Sequence, residues 1–358
     1  MRKCIATVSL SGTLRDKLEA ISAARFDAVE VFENDLIHFS DFPARLRAIA
    51  ADLGLGIDLY QPFRDFEGVP GSLLARNLDR AERKFDVMQA LGAPMMLVCS
   101  NVSAATLPDP ERSAAQLYAL AERAARRNIL IGFEALAWGR HIRHYRDAWS
   151  IVRKAGHSHL GLIIDSFHTL SLDDDPDDIA QIPGDRIFCV QLADAPRLVM
   201  DVLKWSRSYR CFPGQGQFDL ARLLEQILIA GYTGPLSLEV FNDHFREAPN
   251  RRTAIDAMQS LLFLETQTRQ RLERDATLAD EGVTAATAMA SSNPFSASGA
   301  RSPQLTRAGF RCGAMFSVGT SGRPNRGRPS LHRRCSPPPW SSSTRVRERA
   351  ISRKHRAR

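Results

Sequence analysis

The strongest constraint in this chain is a pattern used four times: a short run of small and apolar residues that closes on a side chain bearing a hard oxygen. The runs are Leu130-Ile131-Gly132-Phe133-Glu134, Gly161-Leu162-Ile163-Ile164-Asp165, Ile187-Phe188-Cys189-Val190-Gln191 and Pro235-Leu236-Ser237-Leu238-Glu239. An apolar run of this length, unalternating and flanked by helical patterns, is a strand covered on both faces. Its last polar residue stands where the strand leaves the core, and in a barrel of parallel strands that end carries the active site. Spaced about one βα unit apart, the runs predict Glu134, Asp165, Gln191 and Glu239 as a ring around one point.

The preceding part of the chain keeps the same rhythm. Cys4–Ser9, Val29–Glu33, Gly56–Tyr60 and Met95–Cys99 read as four more strands. Between them Leu14, Leu18, Ile21 and Ala24, then Leu46, Ile49 and Leu53, fall at helical spacing. Gly12-Thr13 supplies a helix start, and Gly54 and Gly92 supply stops. Further helices are expected near Leu73–Leu91, Glu111–Arg126 and His144–Ala155, and from Asp219 toward Gly231. The last, near Arg252–Glu273, is expected to bury Ile255, Met258, Leu261, Leu262 and Leu264. Eight strands alternating with helices predict an α/β chain folded as a closed (β/α)8 TIM barrel. A doubly wound open sheet is the alternative, but it wants a glycine-rich phosphate loop after the first strand, and Ser9-Leu10-Ser11-Gly12 is not one.

Charge divides the chain at about residue 275. The net charge of +8 conceals a segment, 276–358, with 15 basic and 3 acidic residues, against 33 basic and 37 acidic before it. The barrel, 1–275, is therefore mildly acidic at −4, and the basic balance belongs to the tail. In that tail aliphatic periodicity gives way to Ala, Ser, Gly, Pro and Arg, a composition that cannot bury enough apolar surface to offset its ordering entropy. A basic, nucleic-acid-binding tail and a stretch translated out of frame are the competing readings, and the absence of any repeated motif favours the second. Asp173-Asp174-Asp175-Pro176 reads as a solvated loop that caps the next helix, rather than a charged switch. The six cysteines show no pairing pattern, Met1-Arg2-Lys3 enters a strand at once, and no apolar run approaches membrane-spanning length. A cytoplasmic protein with no membrane or nucleic-acid partner is expected, and a homo-oligomer stays open.

Three carboxylates and an amide oxygen make a hard-oxygen site suited to Mg²⁺ or Mn²⁺, with Co²⁺ admissible. Any one of them alone could be a satisfied structural carboxylate; four at matching strand ends favour a metal. Such an ion polarises a carbonyl and a neighbouring hydroxyl and stabilises the enolate formed between them. His168, one turn beyond Asp165, is the best-placed base, although a lone histidine is often structural. Arg64 and Arg210, in the exit loops of the third and seventh strands, are either grips for a substrate carboxylate or solvated surface groups. Trp138, Trp205 and Phe212 either wall the pocket or pack ordinarily.

Several long motifs carry a resemblance. Ile5-Ala6-Thr7-Val8-Ser9-Leu10-Ser11-Gly12-Thr13-Leu14, Gln61-Pro62-Phe63-Arg64-Asp65-Phe66-Glu67-Gly68 and Glu134-Ala135-Leu136-Ala137-Trp138-Gly139-Arg140-His141 are similar to bacterial 3-dehydroshikimate dehydratases. So are Asp165-Ser166-Phe167-His168-Thr169-Leu170, Cys211-Phe212-Pro213-Gly214-Gln215-Gly216 and Ser237-Leu238-Glu239-Val240-Phe241-Asn242-Asp243. The resemblance covers residues 1–275 and implies a xylose-isomerase-like barrel that turns 3-dehydroshikimate into protocatechuate and water, within quinate and shikimate catabolism. It also implies a divalent metal on Glu134, Asp165, Gln191 and Glu239, with Arg64, His168, Ser206 and Arg210 facing the substrate. Many members carry a second, dioxygenase-like domain, and residues 276–358 depart from that pattern. A ketose or sugar-phosphate isomerase or epimerase on the same barrel is the rival activity. A metal-dependent abasic-site endonuclease would want a histidine-rich site and a basic face, and a −4 barrel offers neither.

Overall fold

The computed structural model describes residues 1–291, with the backbone alone for 278–291; of the expected tail 276–358, residues 276–291 continue the last helix, and the rest, with the expectation attached to it, lies outside the described residues. Strands β1 (Lys3–Ala6), β2 (Ala28–Phe32), β3 (Gly56–Phe63), β4 (Met95–Cys99), β5 (Leu130–Glu134), β6 (Leu160–Asp165), β7 (Ile187–Leu192) and β8 (Leu236–Leu238) pair in parallel in chain order. β8 closes on β1, with Ile5 opposite Leu238, so the sheet is the expected eight-stranded barrel. Around it run α1 (Leu14–Ala23), α2 (Glu33–Ile37), α3 (Pro43–Asp52), α4 (Gly71–Leu91), α5 (Pro110–Ala125) and α6 (Tyr145–Ala155). These are followed by α7 (Ser166–Leu170), α8 (Val202–Ser208), α9 (Leu220–Ile229), α10 (Asp243–Glu247) and α11 (Asn250–Ser291). Among the described residues no helix is long and apolar enough to cross a membrane.

Local chemistry accounts for these boundaries. Thr13 and Asp16 form a reciprocal cap on α1: the Asp16 N–H donates to Thr13 Oγ1 at 3.2 Å and the Thr13 N–H to Asp16 Oδ2 at 3.0 Å. Gly92 ends α4 at φ 73°, a left-handed backbone that costs glycine nothing. β6 is buried at every position because helices cover one face and the barrel interior the other. Gly161 within it has no alternative, since a Cβ there would come within 2.5 Å of the Phe188 ring.

Four expectations change in detail. The first strand stops at Ala6, and Thr7–Ser9 form a single tight turn instead. Their hydroxyls replace ladder bonds: Thr7 Oγ1 accepts from the Phe32 N–H at 3.1 Å and Ser9 Oγ from the Val240 N–H at 3.0 Å. The 193–218 loop is not featureless; it contains α8 and is organised by Asp194, whose carboxylate accepts from the N–H groups of Ala195, Gly214, Gly216 and Phe218. Asp175 caps the Pro176–Gln181 turn as expected, but Arg222 of α9 also pairs with Asp175 and Asp177, so the acidic run fastens a helix. In α11 the buried face is Ala254, Ala257, Met258, Leu261 and Leu264, while Ile255 and Leu262 point outward. Met258, Leu261 and Leu264 are thus buried as expected, and Ile255 and Leu262 are not, because apolar residues occur on both sides of this helix.

The exits of β3 and β4 are locked together by Glu67. Its Oε1 accepts from the Asn101 N–H at 2.7 Å, and Asn101 Nδ2 donates back to the Glu67 carbonyl at 2.8 Å. Its Oε2 is buried without a partner among the described residues, and burial pushes the carboxyl up to about 7. A folded-state value above the usual 4.5 means that the stability this group gives is whole below that value and is lost as pH rises through about 7. Glu67→Gln should therefore lose stability relative to wild type at about pH 5 and gain on it by about pH 8, a relative change of up to about 3 kcal/mol. Parallel pH profiles of the two thermal midpoints would contradict this.

Candidate active site

Where β5, β6 and β8 end, three carboxylates meet in the interior. Asp165 is the last residue of β6 and the cap of α7: its Oδ1 accepts from the N–H groups of Phe167 at 2.6 Å and His168 at 3.1 Å. That fixes the carboxylate and leaves Oδ2 to the site, where Arg210 Nη1 donates to it at 2.7 Å. The same Nη1 lies 3.0 Å from Glu239 Oε2, just past β8. Glu134, at the end of β5, has Oε1 3.8 Å from His168 Nε2 and Oε2 3.5 Å from Cys99 Sγ. Gln191 of β7 is in register with Asp165, and its side-chain Nε2 donates to Glu30 Oε2 at 2.7 Å. Glu134, Asp165, Gln191, Glu239, His168, Ser206 and Arg210 are all buried. Arg64 lies on the open side, in an adjoining cavity, and its charge bears on His168.

The charges do not balance. Glu134, Asp165 and Glu239 face the single buried guanidinium of Arg210, leaving a deficit of two positive charges if all are ionised. Burial, then the charges of Asp165 and Glu239, push Glu134 well above the usual carboxylate range, and burial raises Glu239. Burial works against Asp165 as well, but the Arg210 guanidinium and the backbone N–H of His168 hold it below its ordinary value. Among the described residues Gln191 Oε1 is buried with no partner, while its nitrogen is committed to Glu30. A missing charge of two and an unsatisfied amide oxygen among carboxylates fit a hard divalent cation.

His168 is held by both nitrogens. The Ala137 N–H donates to Nδ1 at 3.2 Å, and Arg210 Nη2 lies 3.3 Å from Nε2. A neutral ring accepts only one of these bonds. The backbone N–H cannot turn away, whereas Arg210 Nη2 has Ser206 Oγ at 2.9 Å, so Nδ1 is the acceptor and Nε2 carries the proton. Burial lowers the His168 pKa to about 3 and keeps the ring neutral. Its ligand atom lies within 4.8 Å of those of Glu134 and Asp165, yet a protonated Nε2 has no lone pair for a metal. In that tautomer Nε2 presents its proton to the site.

Other expectations shift as well. Arg210 is neither a solvated group nor a free grip; it is only 1% exposed and tied to Asp165, Glu239 and Ser206. Trp138 does wall the site, edge-on to His168 at 4.9 Å. Trp205 packs on Phe167 and Phe212 stacks on Phe245, so both are framework. Glu30, unremarked in sequence, lies fully buried in mid-strand and accepts from Gln61 Nε2 at 2.8 Å as well as from Gln191. Burial and the charge of Glu239 raise it to about 8. Its signal was a carboxylate inside the apolar run Ala28-Val29-Glu30-Val31-Phe32. Arg207 was also missed, one residue beyond Ser206 on α8, where it lines the cavity with Arg64.

Comparison with known proteins agrees with this architecture. Over 274 residues, 76% of the chain, it is 61% identical to a 3-dehydroshikimate dehydratase of Pseudomonas aeruginosa, covering 43% of that protein. Over 283 residues it is 59% identical to the 3-dehydroshikimate dehydratase of Pseudomonas putida, covering 79% of this chain and 45% of that one. The chain thus spans less than half the length of these curated relatives. A solved xylose isomerase-like TIM barrel/4-hydroxyphenylpyruvate dioxygenase fusion protein superposes with a TM-score of 0.76 at 59% identity, over 77% of this chain and 44% of that one. The model of the xylose isomerase-like TIM barrels matches residues 18–264, and with the closed barrel described above this chain belongs to that family.

Proposed function

We propose that this barrel is a hydro-lyase that converts 3-dehydroshikimate to protocatechuate and water. The observation that carries the proposal is the identity of about 60% to two such dehydratases over more than three quarters of the chain. Glu134, Asp165, Gln191 and Glu239 would hold a divalent metal, Mg²⁺, Mn²⁺ or Co²⁺. When bound, such an ion supplies Lewis acidity to the C3 ketone and C4 hydroxyl of the substrate. Glu30 holds the Gln191 amide so that its oxygen turns to the ring. Arg210, backed by Ser206, fixes Asp165 and Glu239 at one spacing. His168 presents Nε2–H to a substrate oxygen on which charge develops as the C4 proton and the C5 hydroxyl depart together as water. Trp138 keeps water from that hydrogen bond. An uncharged ketose would leave the cationic cavity beside the ring without an anion, which counts against the ketose reading. A cytoplasmic setting suits the buried free thiols of Cys4, Cys99, Cys189 and Cys211.

Mn²⁺- or Mg²⁺-loaded protein incubated with 3-dehydroshikimate should form protocatechuate, followed in the ultraviolet; folded, loaded protein that forms none would refute the assignment. Replacing Glu134, Asp165 or Glu239 by Ala should abolish turnover and weaken Mn²⁺ binding in a direct titration, with Gln191→Ala milder because a neutral ligand contributes less charge. Retention of tight Mn²⁺ binding after loss of two of these carboxylates would exclude the ring as the metal site. His168→Ala should lower kcat by about 10²–10³ with Mn²⁺ affinity kept, as for loss of one positioned donor. His168→Gln, which restores an N–H but cannot act as a base, should recover part of that loss; a Gln variant as slow as the Ala variant would return the base role to His168.

A further inference from the structure

Beside the metal ring the barrel mouth opens into a cavity of about 430 Å³ that is crowded with positive charge: Arg64, Arg80, Lys84 and Arg207 against the one carboxylate of Glu33. Two of the four cations are already engaged. Lys84 is ion-paired with Glu33, whose Oε1 also accepts from the Tyr60 hydroxyl at 3.0 Å. Arg80 donates to the Arg64 carbonyl at 3.0 Å and to Asn77 Oδ1 at 3.1 Å, with its guanidinium over the Phe63 ring. Arg64 and Arg207 differ: among the described residues no carboxylate lies within ion-pair distance of either guanidinium. Arg207 is half-buried and lies over Phe241 at 4.5 Å and Trp138 at 5.7 Å, the latter being the ring that stands against His168. Burial lowers its pKa and the Arg64 charge adds to the effect, which is the mark of a desolvated cation with a like charge nearby.

A half-buried guanidinium with a second one lining the same cavity, and no carboxylate paired to either among the described residues, is costly unless an anion completes the pair. We infer that Arg64 and Arg207 form the anion subsite of this cavity and take the carboxylate of the substrate between them, while Arg210 is committed to the ring and does not contact that carboxylate. The identity of the anion rests on the proposed dehydration of 3-dehydroshikimate, whose carboxylate on C1 stands across the six-membered ring from C4. A substrate chelated at C3 and C4 would therefore direct its carboxylate away from the metal. Planar guanidinium forks match a carboxylate in two parallel hydrogen bonds. The geometry of α8 serves this division: Ser206 turns inward to Arg210, and its neighbour Arg207, about 100° round the helix, turns to the cavity.

The test compares protocatechuate with catechol, which keeps both hydroxyls and lacks the carboxylate, as ligands of Mn²⁺-loaded wild type, Arg207→Ala, Arg207→Lys and Arg64→Ala. Arg207→Ala should weaken protocatechuate binding by about 10- to 100-fold, the loss expected for a charge-assisted contact, and leave catechol unchanged. Arg207→Lys should recover part of the loss, and KM for 3-dehydroshikimate should rise more than kcat falls, with Mn²⁺ affinity kept. Arg64→Ala should show the same selectivity and carries the test if an Arg207 variant fails to fold. Equal effects on both ligands, or none on either, would overturn the subsite. If wild type does not turn over 3-dehydroshikimate but the carboxylate-dependent loss appears, the dehydratase reading falls and the subsite stands. Turnover in wild type with protocatechuate binding unaffected in the variants gives the reverse.

Discussion

The active end of this barrel depends on one guanidinium shut away from water. Arg210 donates through a single nitrogen to Asp165 at 2.7 Å and to Glu239 at 3.0 Å, and its other face is held by Ser206. Without it, three carboxylates on β5, β6 and the end of β8 would repel one another in a medium that cannot screen them. With it the cluster, if all three carboxylates are ionised, still lacks two positive charges. A buried ion pair of this kind is poor evidence for stability, but it sets the spacing of the carboxylates. The amide of Gln191 is aimed by the same logic, through the neutral-leaning Glu30, so the ring is held by a second layer of polar groups deeper in the barrel.

The loop after β7 turns this ring into a particular site. Asp194 gathers four backbone N–H groups and so fixes the path of a segment that would otherwise be long and irregular. On that path one short helix delivers Ser206 and Arg207 to opposite tasks, and the strand-like return delivers Arg210. In barrels of this type the strand ends supply common chemistry and the loops supply substrate choice. Here the metal-ready ring lies on the strand ends, and the cationic cavity lies among the exit segments of β2, β3 and β7.

Particular residues show how far the sequence could be read. Glu134, Asp165, Gln191 and Glu239 were legible because a polar residue ending a buried strand has one place to go in a closed parallel barrel. His168 was legible as a member of the site for the same reason, but its role depends on which nitrogen the Ala137 N–H reaches, a contact between two loops. Arg210 was noticed, but its ties to two carboxylates 45 and 29 residues away were not legible, since nothing local tells an arginine which distant groups the fold will bring to it. Glu30 was passed over because a strand pattern shows burial but not which buried group it will face. The final helix was found and three of its buried residues named, but Ile255 and Leu262 were wrongly added, apolar residues on its outer side having blurred the stripe.

Sequence alone determined the order of elements, the parallel closure they allow, and which strand ends carry oxygen, because strand and helix periods are local properties of the chain. Tertiary structure alone decided the charge deficit at the ring, the tautomer of His168, and which arginines remain without a carboxylate. Each of these is a balance among groups far apart in the chain, and the balance exists only once the barrel has brought them within a few ångströms and excluded the water that would otherwise screen them.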